Sequence, residues 1–251
     1  MKQRSPPFDL PAEPLCLFLD VDGTLLEFAS TPEGVTVSEE LESLLERAAA
    51  GVGGALALVS GRSLQQLDRI FAPRRWPAAG LHGLERRDAE GRVHYPVSAG
   101  PDLQEAREVM EQLSYRAPGL ILEDKGATLA LHYRQAPSME DELRAEMESL
   151  LGRLGDAYHL QPGSHVLELK PAGYSKARAI NDFLEEAPFA GRTPVFAGDD
   201  LTDLDGFEAV ERHGGVSISV GDRVSGMIRL ADPSAFHKYL AELTHRMENT
   251  T

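Results

Sequence analysis

The chain has 251 residues with 42% hydrophobic and 26% charged side chains, and its 40 Asp and Glu outnumber 25 Lys and Arg to give a formal net charge of −15. This is ordinary globular usage, which excludes a disordered chain, a collagen-like repeat or a coiled-coil rod, and the length suits one large domain or two modest ones. The acidic balance repels phosphate backbones and anionic lipid, so neither nucleic acid nor membrane is expected as a partner, and an anionic substrate would need a local cation, either a metal or clustered Lys and Arg.

The run Met1–Pro7 lacks the apolar stretch of a secretory signal, and nothing later approaches the ~18 apolar residues of a membrane span, so a cytoplasmic protein is expected. After a Pro-rich lead-in, Leu15-Cys16-Leu17-Phe18-Leu19 is apolar without alternation, as in a strand buried on both faces of a parallel sheet. Cys16, the single cysteine, is expected as a buried structural thiol and excludes an intrachain disulfide. The strand ends in Asp20-Val21-Asp22-Gly23-Thr24. Ser38 then offers an N-cap, Glu39 and Glu40 suit a first turn, Leu41, Leu44, Leu45 and Ala48 share a face, and Gly51 is expected to stop that helix. Ala55–Val59 reads as a second buried strand, ending in Ser60-Gly61-Arg62-Ser63, and Leu64, Leu67, Ile70 and Phe71 keep helical spacing. Strand, helix, strand, helix predicts right-handed βαβ units in a doubly wound sheet, whose ligands sit beyond the carboxyl ends of the strands.

The middle of the chain reads differently. Gly91 marks a hairpin turn, and a helix follows over 101–113. Strands are expected at 120–122 and 127–133 around Gly126, then a helix near 138–151, then strands near 157–160 and 165–169 around Pro162-Gly163. Helix, strand, strand, helix, strand, strand predicts an inserted α+β domain with an antiparallel sheet. From Ser175 the parallel pattern resumes with a helix through Leu184, a strand at Thr193–Ala197, the turn Gly198-Asp199-Asp200-Leu201-Thr202-Asp203, a strand at Val216–Val220 and a terminal helix from Pro233.

Asp20 and Asp22 end one strand, and Asp199, Asp200 and Asp203 crowd the end of another. Carboxylates sharing a pocket cannot all remain ionised without a cation, and an all-oxygen donor set selects Mg²⁺. A carboxylate can also attack phosphorus, a second can exchange a proton with the leaving oxygen, and a Lys at a helix start, such as Lys176 after Ser175, can neutralise a phosphoryl group.

Asp20-Val21-Asp22-Gly23-Thr24, Ser60, Lys176 and Gly198–Asp203, in this order, resemble the four motifs of the haloacid dehalogenase superfamily of phosphatases. The finer pattern, Ser60-Gly61-Arg62-Ser63, Gly80-Leu81-His82-Gly83-Leu84-Glu85, Glu123-Asp124-Lys125, Leu131-His132-Tyr133-Arg134 and Glu168-Leu169-Lys170-Pro171, resembles the trehalose-phosphatase family over roughly residues 15–240. The resemblance implies a haloacid-dehalogenase-like parallel-sheet core at 1–94 and 171–251 with an inserted α+β cap domain at 95–170. It implies a Mg²⁺-dependent phosphatase acting on a small sugar phosphate, trehalose 6-phosphate. Sucrose 6-phosphate or mannosyl-3-phosphoglycerate are alternative substrates, a phosphosugar mutase is a further alternative, and a catalytically silent sensor is disfavoured because Asp20 and Asp22 are both present.

Carried over residue by residue, the resemblance makes Asp20 the nucleophile and Asp22 the general acid/base. Asp20, the backbone carbonyl of Asp22 and Asp199 would hold the metal, Ser60 and Lys176 the phosphoryl group, and Asp203 would position Lys176 or metal-bound water. Arg62, His82, Glu123, Lys125, His132, Arg134, Glu168 and Lys170 are the candidates for contacting sugar hydroxyls or steering the phosphate. One departure is Leu204, where the family usually carries Glu. His94, His159, His213, His237 and His245 lack ligand spacing and are expected as surface or packing histidines, and Arg74, Arg75 and Trp76 as loop residues.

Overall fold

The computed structural model describes residues 14–27, 37–95, 101–163 and 165–250; the Pro-rich lead-in lies outside them. The chain divides into two units, Met1–His94 with Ser175–Thr251, and Tyr95–Tyr174. Elements in the first stretch are β1 (Leu15–Leu19), α1 (Glu39–Gly51), β2 (Leu56–Val59), α2 (Leu64–Ile70), β3 (Ala78–Gly80), β4 (Glu85–Arg87) and β5 (Val93–His94). The second unit holds α3 (Pro101–Ser114), β6 (Ile121–Asp124), β7 (Leu129–His132), α4 (Glu140–Leu154), β8 (Tyr158–Gly163) and β9 (Val166–Pro171). The chain then returns through α5 (Lys176–Leu184), β10 (Thr193–Gly198), α6 (Leu204–Arg212), β11 (Val216–Val220), β12 (Ile228–Leu230) and α7 (Pro233–Thr250). None of these helices is long and apolar enough to cross a membrane.

In the first unit the strands form one sheet in the order β12-β11-β10-β1-β2-β3-β4-β5. It is parallel from β12 to β3, and β4 and β5 add an antiparallel edge around Gly91. The chain walks from β1 toward β2 on one side and from β10 toward β12 on the other, so β1 and β10 flank the point where strand order reverses, where such sheets open a crevice at their carboxyl ends. Leu19 pairs with both Ala197 and Leu58, which sets Asp20, Ser60 and Asp199 at neighbouring strand ends.

Every residue of β1 is buried, which explains its unbroken apolar run. Beside it Phe18, Phe183 and Phe189 form an aromatic cluster with ring centroids 4.9–5.9 Å apart, each ring contributing about 1.5–3 kcal/mol by burial. The helix α1 ends at Gly51, as expected, and Val52 caps it; beyond the cap Gly53 and Gly54 adopt φ of +61° and +85° and their N–H groups reach back to the Ala50 and Ala49 carbonyls. That is the Schellman arrangement, which needs a left-handed residue just beyond the cap. Trp76 is a loop residue, as expected, but it belongs to the core: it is buried, Arg74 stacks 5.1 Å from its ring, and its carbonyl accepts from Arg87 Nε.

The second unit is an antiparallel sheet ordered β6-β7-β9-β8. Leu129, Leu131, Leu167 and Leu169 point from it into a core shared with Leu103, Ala106 and Met110 of α3 and Leu143, Met147 and Leu150 of α4. Strict alternation therefore places the other residues of these strands on the face away from the helices. The strand expected near 165–169 extends to Pro171, which pairs with Tyr158.

Candidate active site

Asp20 follows β1 and is 4% exposed. Lys176, the first residue of α5, donates from Nζ to Asp20 Oδ1 at 2.7 Å and to Asp203 Oδ1 at 2.5 Å. Two local devices aim this Lys. Ser175 caps α5 by accepting from Arg178 N, and Gly83 (φ +96°) lets the turn Leu81–Gly83 approach so closely that a Cβ there would lie 2.4 Å from the Ser175 carbonyl oxygen. Asp203 is fully buried, and its Oδ2 accepts from the backbone N–H groups of Asp199 and Asp200, both at 3.0 Å. Asp203 thus ties the Gly198–Asp203 turn while its other oxygen holds Lys176.

Asp20, Asp199 and Asp203 each present an oxygen within 4.8 Å of the others, a set that could hold a metal ion. Gly23 makes the approach possible: it adopts φ +83°, and a Cβ there would fall 2.4 Å from Asp199 Cγ, so only glycine lets this turn close on the carboxylate. Burial raises the Asp20 carboxyl well above the ordinary carboxylate range, against the pull of Lys176. Burial, then Asp203 and Asp200, push Asp199 up to about 7. Burial works against the charge of Lys176, but Asp20 and Asp203 hold it protonated, with a raised pKa. One ammonium cannot balance three close carboxylates, and an all-oxygen, electron-rich cluster of this kind fits a hard divalent cation.

Asp22 lies two residues beyond Asp20, and Arg62 grips it at two points, Nε to Oδ2 at 2.7 Å and Nη2 to Oδ1 at 2.6 Å. The sequence reading placed Arg62 among substrate contacts; here it is tied to the second carboxylate. Ser60 is buried at the end of β2, and its Oγ accepts from Arg62 N at 3.2 Å. His82 sits beside this loop at φ +56°. Its N–H donates to the Ser60 carbonyl at 2.9 Å, and its imidazole occupies the space a Gly61 Cβ would need, at 2.8 Å. Leu204, which begins α6, is 39% exposed, and the neighbouring Asp205 accepts from Ala177 N at 3.4 Å, beside Lys176.

Arg223 escaped the sequence reading. Its guanidinium nitrogens lie 3.7 Å from Asp199 Oδ2 and 3.6 Å from Asp200 Oδ1. The only signal for it was its position just past β11, another carboxyl end of the same parallel sheet.

In the second unit the register puts Glu123, Ala130, Glu168 and Gln161 in one row and Lys170 beside His159 on the same face. His132 Nε2 lies 2.9 Å from Glu123 Oε2, a hydrogen bond that holds the Glu123 carboxyl below its usual range despite partial burial. Lys125 Nζ (3.2 Å) and Thr128 Oγ1 (2.9 Å) both donate to Glu168 Oε1, and Glu168 and Lys170 are buried although charged. Arg134 is exposed beyond the end of β7, and Tyr133 turns into the core beneath the helices. Four of the other histidines have hydrogen-bond partners: His94 meets Asp88, His213 meets Asn181, His237 meets the Leu25 carbonyl and His245 meets Asn249, while burial lowers the pKa of His159.

A family model described as trehalose-phosphatase matches residues 18–232. The chain is 44% identical over 220 residues to a probable trehalose-phosphate phosphatase of Sinorhizobium fredii, covering 87% of this chain and 83% of that one. It is 46% identical over 207 residues to a trehalose-6-phosphate phosphatase of Escherichia coli, covering 81% and 76%. A crystal structure of a haloacid dehalogenase-like hydrolase from Bacteroides thetaiotaomicron matches with a TM-score of 0.69 over 91% of this chain and 98% of that one, a likeness of fold alone at 15% identity. Paired acidic strand ends, a bridging lysine and a family match spanning both units have one common account: the chain belongs to the trehalose-phosphatase family of phosphoric monoester hydrolases.

Proposed function

We propose that the chain hydrolyses trehalose 6-phosphate to trehalose and phosphate through an aspartyl-phosphate formed on Asp20. The observation that carries this reading is the Lys176 bridge between Asp20 and Asp203 at the carboxyl ends of the parallel strands. An oxygen of Asp20 attacks phosphorus, the bond from phosphorus to the sugar oxygen breaks, and Asp22 delivers its proton to that departing oxygen. Asp22 then takes a proton from water as the water attacks the acyl phosphate, which releases inorganic phosphate and restores the Asp20 carboxylate. Lys176 and Ser60 bind the phosphoryl oxygens, and Asp203 keeps Lys176 in place.

Asp20, the backbone carbonyl of Asp22 and Asp199 would hold Mg²⁺, which supplies positive charge to the phosphoryl oxygens when bound. The second unit acts as the cap in this reading, and its polar face, with Glu123, Lys125, His132, Glu168 and Lys170, meets the sugar hydroxyls. A cytoplasmic location belongs to the same reading, and a lone buried Cys16 suits a reducing compartment. The test is a product assay on trehalose 6-phosphate, sucrose 6-phosphate and mannosyl-3-phosphoglycerate. Inorganic phosphate released fastest from trehalose 6-phosphate is the expected result. An isomeric sugar phosphate as product, or preference for another substrate, would replace this assignment.

A further inference from the structure

We propose that Arg62 is a positioning residue for Asp22, fixing the carboxyl group that gives and takes the proton; the proposal rests on the acid/base role of Asp22 stated above. The two hydrogen bonds, at 2.7 and 2.6 Å, join the planar guanidinium to both oxygens of the planar carboxylate. One bond would leave the carboxyl free to turn, whereas a two-point fork sets its position and its plane together. Asp22 needs such a device because its side chain is 31% exposed, unlike that of Asp20.

The arginine is itself held on several sides. Its N–H donates to Ser60 Oγ, and its carbonyl accepts from Leu81 N at 2.9 Å. The next residue, Ser63, opens α2 in a reciprocal capping box with Gln66, and Glu85 Oε2 accepts from Leu64 N at 2.9 Å. On the other side the Asp22 turn is closed by Gly23 N to the Leu26 carbonyl at 2.7 Å and by Leu25 N to the Val21 carbonyl at 3.0 Å. Arg62 therefore links two fixed turns 40 residues apart in sequence, and the side chain of the proton carrier inherits the rigidity of both. A lysine at this position could offer only a point charge, without the fork.

A positioning role for a proton donor predicts a dependence on the leaving group that a phosphate-binding or sugar-binding role does not. The more basic the departing oxygen, the more the reaction depends on a well-placed proton, so Arg62→Ala should lower turnover on trehalose 6-phosphate by about 10²-fold, the usual scale for misplacing a reacting group. The decisive comparison uses p-nitrophenyl phosphate and phenyl phosphate, which carry no sugar and differ in leaving-group basicity. Arg62→Ala should cost kcat more on phenyl phosphate than on p-nitrophenyl phosphate, as should Asp22→Asn, and Arg62→Lys should behave as Arg62→Ala. Adding Arg62→Ala to Asp22→Asn should cost little more, because the two act as a unit. Arg62→Gln, which keeps most of the volume, serves if the alanine variant does not fold. Equal losses on both aryl phosphates, or effects that multiply with those of Asp22→Asn, would overturn the proposal and leave Arg62 as a phosphate or sugar contact. If Asp22→Asn alone shows no leaving-group dependence, the acid/base reading of Asp22 falls first, and the role of Arg62 falls with it.

Discussion

Lys176 and Asp20 meet 2.7 Å apart although 156 residues separate them, and both are almost wholly buried. A buried pair like this is held by its surroundings more than by its own attraction, because each ion has lost its water. Asp203 completes the arrangement by accepting from the same Nζ. Asp20→Asn should abolish phosphate release from trehalose 6-phosphate, since loss of a covalent nucleophile costs several orders of magnitude. The thermal midpoint should hold or rise, because Asp203 still pairs Lys176 and one of several crowded carboxylates has become neutral. Lys176→Met should instead lower it, leaving Asp20, Asp199 and Asp203 without their ammonium. Thermal melts of the two variants check the contrast, and equal destabilisation would contradict it.

Removal of metal provides a second prediction. Activity should disappear in excess chelator and return with Mg²⁺, and Ca²⁺, larger and less strict in geometry, should support little turnover. Independently of turnover, Mg²⁺ should raise the thermal midpoint, by the equivalent of about 2.7 kcal/mol at a hundred times its dissociation constant. Asp199→Asn should remove that shift. Gly23→Ala should weaken it too, since its methyl group would fall on Asp199 and its φ of +83° suits glycine. A Mg²⁺-induced shift that survives Asp199→Asn would place the ion elsewhere.

A third prediction concerns pH and the β4–β5 edge. Asp88 is buried and accepts from Glu90 N, Arg92 N, Arg92 Nε and His94 Nε2. Burial alone would raise its pKa, but the hydrogen bonds from His94 and Arg92 hold the carboxyl well below its usual range. A depressed carboxyl pKa stabilises the fold above the unfolded value near ~4, and that contribution is lost as pH falls toward the folded value. Asp88→Asn should therefore lower the thermal midpoint at pH 7 and flatten its decline between about pH 4 and pH 2. An unchanged acid limb in this variant would assign the acid sensitivity to other carboxylates.

Much of this architecture is legible in the sequence because its physical causes are local. The unbroken apolar run at 15–19 reads as a strand buried on both faces, Val216–Val220 reads as a strand through its β-branched residues although Ser217 and Ser219 interrupt them, and acidic turns follow Leu19 and Gly198, where ligands gather in such sheets. The elements that escape notice depend on partners. Ala78-Ala79-Gly80 has weak strand propensity and becomes β3 only because Leu58 and Val59 of β2 supply the ladder. The helix α6 carries Gly206 in its first turn, a poor helix former that is needed there because a Cβ would lie 2.5 Å from the Phe196 ring. The links from Arg62 to Asp22 and from Arg223 to Asp199 join loops distant in sequence, so no spacing announces them. The motif position of Asp20 is plain in the sequence, but its burial is not, since a residue closing a strand can equally face solvent.

The last prediction separates recognition of the sugar from the chemistry. On the polar face of the second unit, Glu168 is buried and takes hydrogen bonds from Lys125 and Thr128, while Glu123 is held by His132. Charged groups fixed in this way are ready to bind hydroxyls, and a site built for hydroxyls loses most when its own polar groups are left without partners. Glu123→Ala or Lys125→Ala should lower kcat/KM for trehalose 6-phosphate by at least ~10-fold, about 1.4 kcal/mol, and change hydrolysis of p-nitrophenyl phosphate much less. Lys125→Ala should be the more destabilising of the two, because it removes a cation that pairs with buried Glu168, whereas Glu123 and His132 are both partly exposed. Parallel losses on both substrates, with a lowered thermal midpoint, would mean that these residues hold the second unit together instead of reading the sugar.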